Sequence, residues 1–336
     1  KSGVAINGVG FKIKTPNGNN TWLAENTDGT YNYTATYGNA KTYTTANGKG
    51  VTIKNIKLGT YNVYETQGVD NLYDLELQEN YNSTNKWIPF GEVTISASTD
   101  GDVPTVEKTY KNQKTIGDFL IKKIDAKSKV AINGADFKIK TSKGWLQQTN
   151  STYKYDATYA NATEFTTSGG KGITITDLRL GTYHVYETKV STGYDLKLQE
   201  NYSASIPNGG SGVDFGTIEV KGTEDGDVPQ VSKQYINWKS INISGYVWLD
   251  IPETKANSTN SKYDQAGENK VPGVTVKLKR KNESRGLGEA ESTTKTDSNG
   301  SYIFEKKVTE AIIDDFYVEF NYKGVIFKAK ETSEDT

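Results

Sequence analysis

The sequence predicts an all-β protein built from tandem β-sandwiches with Greek-key connections, and three observations support this fold class. Short runs of alternating apolar and polar residues, rich in Thr, Val, Ile and Tyr, are typical of strands with one buried face. Turn residues such as Asn, Gly, Asp and Ser separate these runs, and no long helical period is visible. A long internal repeat indicates that the sandwich is present at least twice.

The repeat has a period of about 125 residues, which is too long for a solenoid and suits globular domains. VAINGVGFKIK at residues 4–14 returns as VAINGADFKIK at residues 130–140. LGTYNVYET, ending at Thr66, returns as LGTYHVYET, ending at Thr188. Each unit is therefore long enough to bury a core of its own.

Three domains are expected from this pattern. The first copy begins level with Lys127 of the second copy, so the first domain is expected to lack its opening strand. After Trp238 the repeat stops and different strand-like runs begin, among them INISGYVWLD, GVTVKLK and DFYVEF. The expected domains are residues 1–114, 115–239 and 240–336.

The composition excludes several classes of function. Forty basic residues balance 41 acidic ones, which argues against nucleic-acid binding and against attraction to anionic membranes. There is no Cys, so any covalent staple must use other chemistry than a disulfide. The single His, His184, leaves no basis for a His-rich metal centre or for His-based acid-base catalysis.

Alternation places charged side chains among core residues in the second domain. Successive strand residues point to opposite faces, so Glu187 shares a face with Tyr183 and Val185, as Glu65 does with its own neighbours in the first copy. In the strand that begins the second domain, either Lys123 or Lys122 could be the inward lysine.

Two interpretations of these inward charges remain open. They can form an ordinary buried ion pair, or they can react, since burial favours a neutral amine and a protonated carboxyl. A neutral lysine could then attack an Asn amide while the Glu transfers the proton to the departing ammonia. The product would be an isopeptide bond.

The first two units resemble the collagen-adhesin B-type (CnaB-like) domains of Gram-positive surface proteins and pilins, which have prealbumin-like or immunoglobulin-like sandwiches. The resemblance rests on the Lys-Ile-Asp step that starts at Lys123, the AING-x-x-F-K-I step, the strand carrying Glu187 and the closing YIN that ends at Asn237. It implies a bond between Lys123 and Asn237 assisted by Glu187, with Lys122 as the reserve nucleophile. The formation of this bond would need no cofactor.

The same resemblance carries over only in part to the first domain. Glu65 and Asn112 match the assisting carboxyl and the amide. The matching lysine position lies before Lys1, and Lys12 and Lys14 align with later positions of the fold, so no bond is expected there within this chain.

The third unit resembles the B-type repeats of serine-aspartate-rich staphylococcal adhesins (SdrD B-like), through SGYVWLD, GENKVPGVTVKL and TKTDSNGSYIF. The resemblance implies a structural calcium ion, for which Asp250, Asp264 and Glu268 are the candidate ligands, with Asp297 in a nearby turn. The alternative is a solvated acidic loop with a turn-forming Asp.

Together these observations predict a non-catalytic stalk or adhesin segment, extracellular and attached to a cell wall or surface, with no nucleic-acid partner and no membrane insertion. Its partners would be a host extracellular-matrix protein or neighbouring surface subunits. The alternatives are a region that captures a host-matrix protein or glycan, and a pilus shaft subunit. An enzyme such as a glycosidase would need two carboxylates across a cleft, which sequence alone does not exclude, and no constellation of residues indicates one.

Overall fold

The structure is a computed structural model that describes residues 3–15, 21–69, 72–150, 152–223, 228–249, 269–281 and 290–328. Within these ranges the regular elements are β-strands and five short 3-10 helices. The prediction of an all-β protein is confirmed. None of the helices in the described ranges has the length and apolar character needed to cross a bilayer.

The first domain consists of one sheet in the described residues. Its strands are all antiparallel to their neighbours, in the order β3-β2-β1-β5-β6, with β4 also paired to β1. One face of this sheet carries a small apolar cluster that includes Ile13, Leu23 and Tyr61. The elements are β1 Gly10–Lys14, β2 Trp22–Glu25, β3 Tyr31–Thr34, β4 Tyr43–Thr44, β5 Gly59–Gln67 and β6 Ile88–Ile95, with 3-10 helices at Tyr37–Asn39 and Leu75–Leu77.

The second domain is a sandwich of two sheets. One sheet has the order β10-β9-β8-β13-β15-β14, with β11 paired to β8, and the other has the order β12-β7-β16. The elements are β7 Ile116–Asp125, β8 Asp136–Thr141, β9 Gly144–Thr149, β10 Thr152–Asp156, β11 Phe165–Thr166, β12 Ile173–Arg179, β13 Gly181–Lys189, β14 Tyr202–Ser203, β15 Gly212–Val220 and β16 Gln230–Asn237, with 3-10 helices at Tyr159–Asn161 and Leu196–Leu198.

The core of this sandwich lies between the two sheets, because each strand turns its apolar face inward. Phe119 and Ile121 of β7 meet Phe137 and Ile139 of β8, and none of the four has exposed surface. The first and last strands, β7 and β16, are parallel neighbours along their whole paired length. The start and end of the domain are therefore joined side by side in one small sheet.

The third domain has its own core, in which Val276, Leu278 and Phe304 are fully buried. Its largest sheet has the order β22-β21-β25-β26, and three two-stranded sheets complete the described part. The elements are β17 Ser240–Ile241, β18 Ser244–Tyr246, β19 Trp248–Leu249, β20 Asn269–Lys270, β21 Thr275–Arg280, β22 Ala290–Lys295, β23 Ser301–Ile303, β24 Val308–Thr309, β25 Phe316–Tyr322 and β26 Val325–Lys328, with a 3-10 helix at Ile313–Asp315.

The joint between the first and second domains is held by hydrogen bonds and ion pairs. Thr115 donates its backbone N–H to Leu72 O at 2.8 Å, and its Oγ1 accepts the N–H of Asp74 at 2.7 Å. Arg179 of the second domain forms ion pairs with Asp74 and Glu76 of the first. Short connections of this kind leave little free linker between the domains.

Candidate cross-linking site

Lys123 faces the interior of the second domain because β7 alternates apolar residues along its inner face. Phe119 and Ile121 precede it on this face with no exposed surface, and Lys123 itself is 1% exposed. The neighbouring Lys122 points the other way and is exposed. The structure therefore distinguishes the two lysines, and the reserve position, Lys122, lies away from the buried carboxylate.

Glu187 and Asn237 meet Lys123 inside the sandwich. Glu187 Oε2 lies 3.2 Å from Lys123 Nζ, and the side chains of both residues are completely buried. Asn237 donates Nδ2 to Glu187 Oε1 at 2.9 Å and Oε2 at 3.0 Å. The amine and the amide thus lie against the same carboxylate oxygen, although they belong to the first and last strands of the domain in sequence.

Aromatic rings surround the lysine and keep water away from it. Lys123 Nζ lies 4.2 Å from the centroid of the Phe215 ring and 6.0 Å from that of Phe137. Phe215 in turn stacks on Tyr235, with 4.4 Å between the ring centroids. Phe215 was not among the site residues predicted from the sequence, although the same Phe-Gly pair occurs in β6 of the first copy.

Burial shifts the protonation of both charged groups toward their neutral forms. It lowers the pKa of Lys123 to about 8, against the opposing effect of Glu187. It also raises the pKa of Glu187, although Lys123 and the hydrogen bond from Asn237 act in the opposite direction. These are the directions that make an amine nucleophilic and a carboxyl a proton donor.

The arrangement offers the groups needed for amide exchange. Neutral Lys123 is a nucleophile, Asn237 carries an electrophilic amide carbon, and Glu187 contacts both. Within the described residues Asn237 Oδ1 is buried and accepts no hydrogen bond. Rotation of the amide would exchange its nitrogen and oxygen, so that a protonated Glu187 could donate to the carbonyl oxygen.

A glutamine on the loop before β14 fixes the chain next to Asn237. Gln199 accepts the backbone N–H of Trp238 at 2.8 Å, and its amide nitrogen donates to Trp238 O at 2.9 Å. In the first domain Gln78 makes the same pair of bonds with the backbone of Gln113. LQENY occurs in both copies, at residues 77–81 and 198–202, and the pattern of the repeat does not indicate a role for its glutamine.

Among its described residues, the first domain has the carboxyl and the amide but no lysine beside them. Glu65 is 1% exposed, and Asn112 donates Nδ2 to its Oε1 at 2.8 Å. Burial raises the pKa of Glu65 to about 7, opposed by this hydrogen bond. Lys12 instead donates to Tyr37 O at 2.9 Å, and Lys14 lies over the Trp22 ring.

The residues expected to bind calcium, Asp250, Asp264 and Glu268, lie outside the described residues. Asp297 is described, and its Oδ1 accepts the backbone N–H groups of Asn299 and Ser301, which is the geometry of a turn-forming Asp. No group of three or more acidic, His or Cys side chains in the described ranges is arranged to hold a metal ion.

Comparison with known proteins identifies a related family for part of the chain. Residues 117–220 match the family model described as SpaA, a prealbumin-like fold domain. No curated protein sequence matches the chain. The family match agrees with the sandwich architecture of the second domain.

Similar solved structures include three proteins of Gram-positive bacteria. The group B streptococcus pilus 2b backbone protein is 22% identical over 70% of this chain and 80% of that chain, with a TM-score of 0.34. The shaft pilin SpaA from Lactobacillus rhamnosus GG is 20% identical over 68% of this chain and 88% of that chain, with a TM-score of 0.29. The Bacillus anthracis TIE protein is 14% identical over 98% of this chain and 46% of that chain, with a TM-score of 0.30.

Proposed function

We propose that this chain is a structural segment of a Gram-positive cell-surface protein or pilus, and that an isopeptide bond between Lys123 and Asn237 closes its second domain. One observation carries the proposal: Lys123, Glu187 and Asn237 meet with no access to water. A buried ion pair alone is costly to form and often contributes little net stability. The adjacent amide of Asn237 supplies an electrophilic carbon with which the buried lysine can react.

The proposed reaction is a condensation that proceeds once. Neutral Lys123 Nζ attacks Asn237 Cγ, and Glu187 donates its proton to the amide oxygen. The new C–N bond forms as the old one breaks, and one proton from the lysine passes through Glu187 to the amide nitrogen, which leaves as ammonia. Glu187 ends in its starting protonation state, so no oxidant, metal or cofactor is consumed.

A structural role follows from where the bond would lie. It would join the first and last strands of the domain, which are already parallel neighbours. Tension entering at Ile116 would pass along β7 to Lys123 and leave through Asn237, without loading the sandwich between them. Such a bond also closes a long loop, which in the chain-entropy model stabilises a domain by about 4 to 5 kcal/mol.

The family context supports a surface location. The SpaA-type match covers residues 117–220, and the CnaB-like motifs cover the first two domains. We therefore propose CnaB-like domains followed by an SdrD B-like domain, in a non-enzymatic protein of the cell wall or cell surface. If the chain has a shaft-like role, its proposed partners are neighbouring surface subunits.

The test is the intact mass of the purified chain, combined with peptide mapping. We expect the wild-type mass to be lower than the sequence mass by one ammonia, and a linked peptide to join Lys123 to Asn237. Glu187→Gln should restore the full mass, because it removes the proton carrier. The matched control Glu200→Gln, at an exposed carboxylate of the same domain, should leave the bond intact. A full mass for the wild-type chain would rule out the bond.

A further inference from the structure

Four aromatic rings lie in mutual contact on the outer face of the first-domain sheet. They belong to Trp22, Tyr37, Tyr64 and Trp87, and the centroids of contacting rings are 5.1 to 5.5 Å apart. Tyr64 follows Val63 of β5, whose side chain faces the core, and therefore points outward. Trp22 is 4% exposed, whereas Tyr37 is 38% exposed and the other two are half-buried. We call these four residues the aromatic shelf.

The second domain has the same cluster of rings, but there a loop covers it. Three rings recur as Trp145, Tyr159 and Tyr186. Ile206, from the loop between β14 and β15, packs against them, and Trp145 and Tyr186 are only 0% and 3% exposed. The counterpart loop of the first domain, before β6, is shorter and contributes Trp87 instead. The aromatic shelf is therefore the uncovered copy of a cluster that the second domain closes.

Lys12 of β1 lies beside the aromatic shelf, and its ammonium group has no counter-charge. Its Nζ lies 4.0 Å from the centroid of the Tyr37 ring and donates to Tyr37 O at 2.9 Å. The residue is only 8% exposed, and no carboxylate among the described residues forms an ion pair with it. Burial accordingly lowers the pKa of Lys12. A buried cation of this kind is stabilised when an anion binds next to it.

The equivalent lysine of the second domain does have a carboxylate beside it. Lys138 Nζ lies 4.1 Å from the centroid of the Tyr159 ring and 3.2 Å from Tyr159 O, and Glu164 Oε1 is 3.7 Å away. Thr42 occupies the position of Glu164 in the first domain, because each precedes the residue that pairs with the phenylalanine of the adjacent strand. Both copies therefore have the lysine and the rings, but only the second has the carboxylate.

Further polar groups border the aromatic shelf. Lys14 Nζ lies 5.4 Å from the centroid of the Trp22 ring and adds a second ammonium group to this face. Lys14 pairs across the sheet with Asn62, so the side chain of Asn62 shares the face. Glu92 pairs with Asn62 from the other side and forms no ion pair with either lysine in the described part of the chain. The border thus offers cationic and amide donors to a ligand.

This combination of groups matches one class of ligand. A pyranose ring has an apolar C–H face that packs against aromatic rings, and a rim of hydroxyl groups that accept hydrogen bonds from ammonium and amide groups. A carboxylate on the sugar would supply the missing counter-charge through a charge-assisted hydrogen bond. A carboxylate is also the group found beside the equivalent lysine in the second domain. An acidic peptide would satisfy the lysine but has no flat apolar face to cover the rings.

We propose that the first domain binds a carboxylated sugar, of the uronic acid class, on the aromatic shelf. The sugar ring stacks on the exposed faces of Tyr37, Tyr64 and Trp87. Its carboxylate binds Lys12 in the place that Glu164 takes beside Lys138. The site does not involve the proposed Lys123–Asn237 bond, so each of the two proposals can fail without the other.

The probe is a tetrasaccharide of alternating glucuronic acid and N-acetylglucosamine, titrated into the full chain at neutral pH by calorimetry. The matched control is the same tetrasaccharide with its carboxylates reduced to hydroxymethyl groups. We expect the acidic sugar to bind and the reduced sugar to bind at least about tenfold more weakly, because it cannot neutralise the lysine. A peptide of four glutamates should bind more weakly than the acidic sugar, because it cannot stack on the shelf.

Variants of the chain locate the site. Thr42→Glu introduces the carboxylate of the second domain beside Lys12 and should weaken binding of the acidic sugar about tenfold or more. Thr42→Gln has nearly the same size without the charge and should stay within about twofold of the wild-type affinity. Lys12→Gln should reduce the affinity for the acidic sugar to that for the reduced sugar. The matched Lys138→Gln variant should bind normally, because the second-domain cluster is covered and its lysine already has a carboxylate.

Three results would overturn the inference. Equal affinity for the acidic and the reduced sugar, or no binding of either at millimolar concentration, would remove the role of the lysine. Equally tight binding of the glutamate peptide would remove the role of the rings. Wild-type affinity in the Thr42→Glu variant would place the bound sugar elsewhere on the chain.

Discussion

Two adjacent lysines on β7 differ sharply in their surroundings. Lys123 is enclosed by rings and faces Glu187, whereas Lys122 is exposed to solvent. Successive side chains of a strand point to opposite faces, so one step in sequence separates a reactive amine from an ordinary surface charge. The chemistry of the site therefore depends on strand register more than on residue type.

The two lysines should respond differently to truncation. Lys123→Ala removes the proposed bond to Asn237 and also leaves Glu187 buried without its partner. The loss of the partner alone costs about 3 to 5 kcal/mol and lowers the unfolding temperature of the second domain by about 10 °C or more. Lys122→Ala removes only an exposed side chain and should change stability by about 0.5 kcal/mol or less. Scanning calorimetry of both variants measures the difference. Equal effects would contradict the inward assignment of Lys123.

Glu65 should make the first domain sensitive to pH. Its pKa rises from its ordinary value of 4.5 to about 7 in the folded domain, so between these values the folded domain holds a proton that the unfolded chain has released. Stability should therefore fall as the pH rises through this window, by roughly 3 kcal/mol. Hydrogen-exchange protection of residues 59–67 at pH 5 and pH 8 measures the fall.

The matched variant for this measurement is Glu65→Gln, which keeps the shape of the side chain but cannot ionise. Its protection factors should vary less with pH than those of the wild-type domain. If the two proteins show the same pH dependence, other groups are responsible and Glu65 is not the source.

At the scale of elements, much of the second domain could be predicted from local pattern. The inward face of β13 with Tyr183, Val185 and Glu187 follows from alternation alone. Lys122 and Lys123 could not be separated, because Leu120 and Ile124 make the opposite face of β7 apolar as well. Only the packing of the β12-β7-β16 sheet against the sheet of β8 and β13 decides which face of β7 is toward the core.

Other parts of the site depend on contacts between distant segments and leave no local pattern. Gln199 is close to Asn237 because of how its loop folds back, and a glutamine in a polar loop does not indicate its partner. In the first domain, residues 51–57 and 105–112, the sequence counterparts of β12 and β16, form no strand, and that result depends on sheet pairing, which local pattern does not show.

Gln199 should contribute to the stability of the end of β16. Gln199→Ala removes two hydrogen bonds to Trp238 and one to Asp195 O, and we expect a loss of about 2 kcal/mol. The measurement is denaturant unfolding in a Glu187→Gln background, where no covalent bond interferes. The control is Gln234→Ala, at an exposed position of β16, which should be nearly neutral. Equal stability of both variants would count against the role of the glutamine.

At the scale of the whole molecule, the domains follow one another through short, hydrogen-bonded joints. Thr115 at the start of the second domain forms hydrogen bonds with Leu72 and Asp74 of the first domain. At the start of the third domain, Ser240 makes the equivalent contact and donates its backbone N–H to Gly193 O of the second domain at 3.0 Å. The repeated joint suits a chain in which successive domains transmit force.

The proposed bond should be visible when a single molecule is stretched. About 110 residues between Lys123 and Asn237 would be protected from extension, and at about 3.5 Å per residue they correspond to roughly 400 Å of chain. We expect the Glu187→Gln variant to release this length in force spectroscopy and the wild-type chain not to release it. A release of this length by the wild-type second domain would exclude a bond at these residues.

The calcium hypothesis concerns the third domain. If Asp250, Asp264 and Glu268 bind calcium, the ion should stabilise the domain by about 2.7 kcal/mol at a hundredfold excess over its dissociation constant. The unfolding temperature in calcium, compared with that in a chelator, measures this effect, and Asp264→Asn should reduce it. An unfolding temperature that does not change with calcium would favour the solvated loop.

The parallel pairing of β7 with β16 determines when the proposed bond can form in each molecule. Lys123 and Asn237 can meet only after the last strand of the domain has been made and has taken its place beside the first. The proposed bond would therefore form only in a correctly folded domain and would persist through any later unfolding. The fraction of chains that lack one ammonia would then record how many molecules have ever reached the native fold, even in a denatured sample.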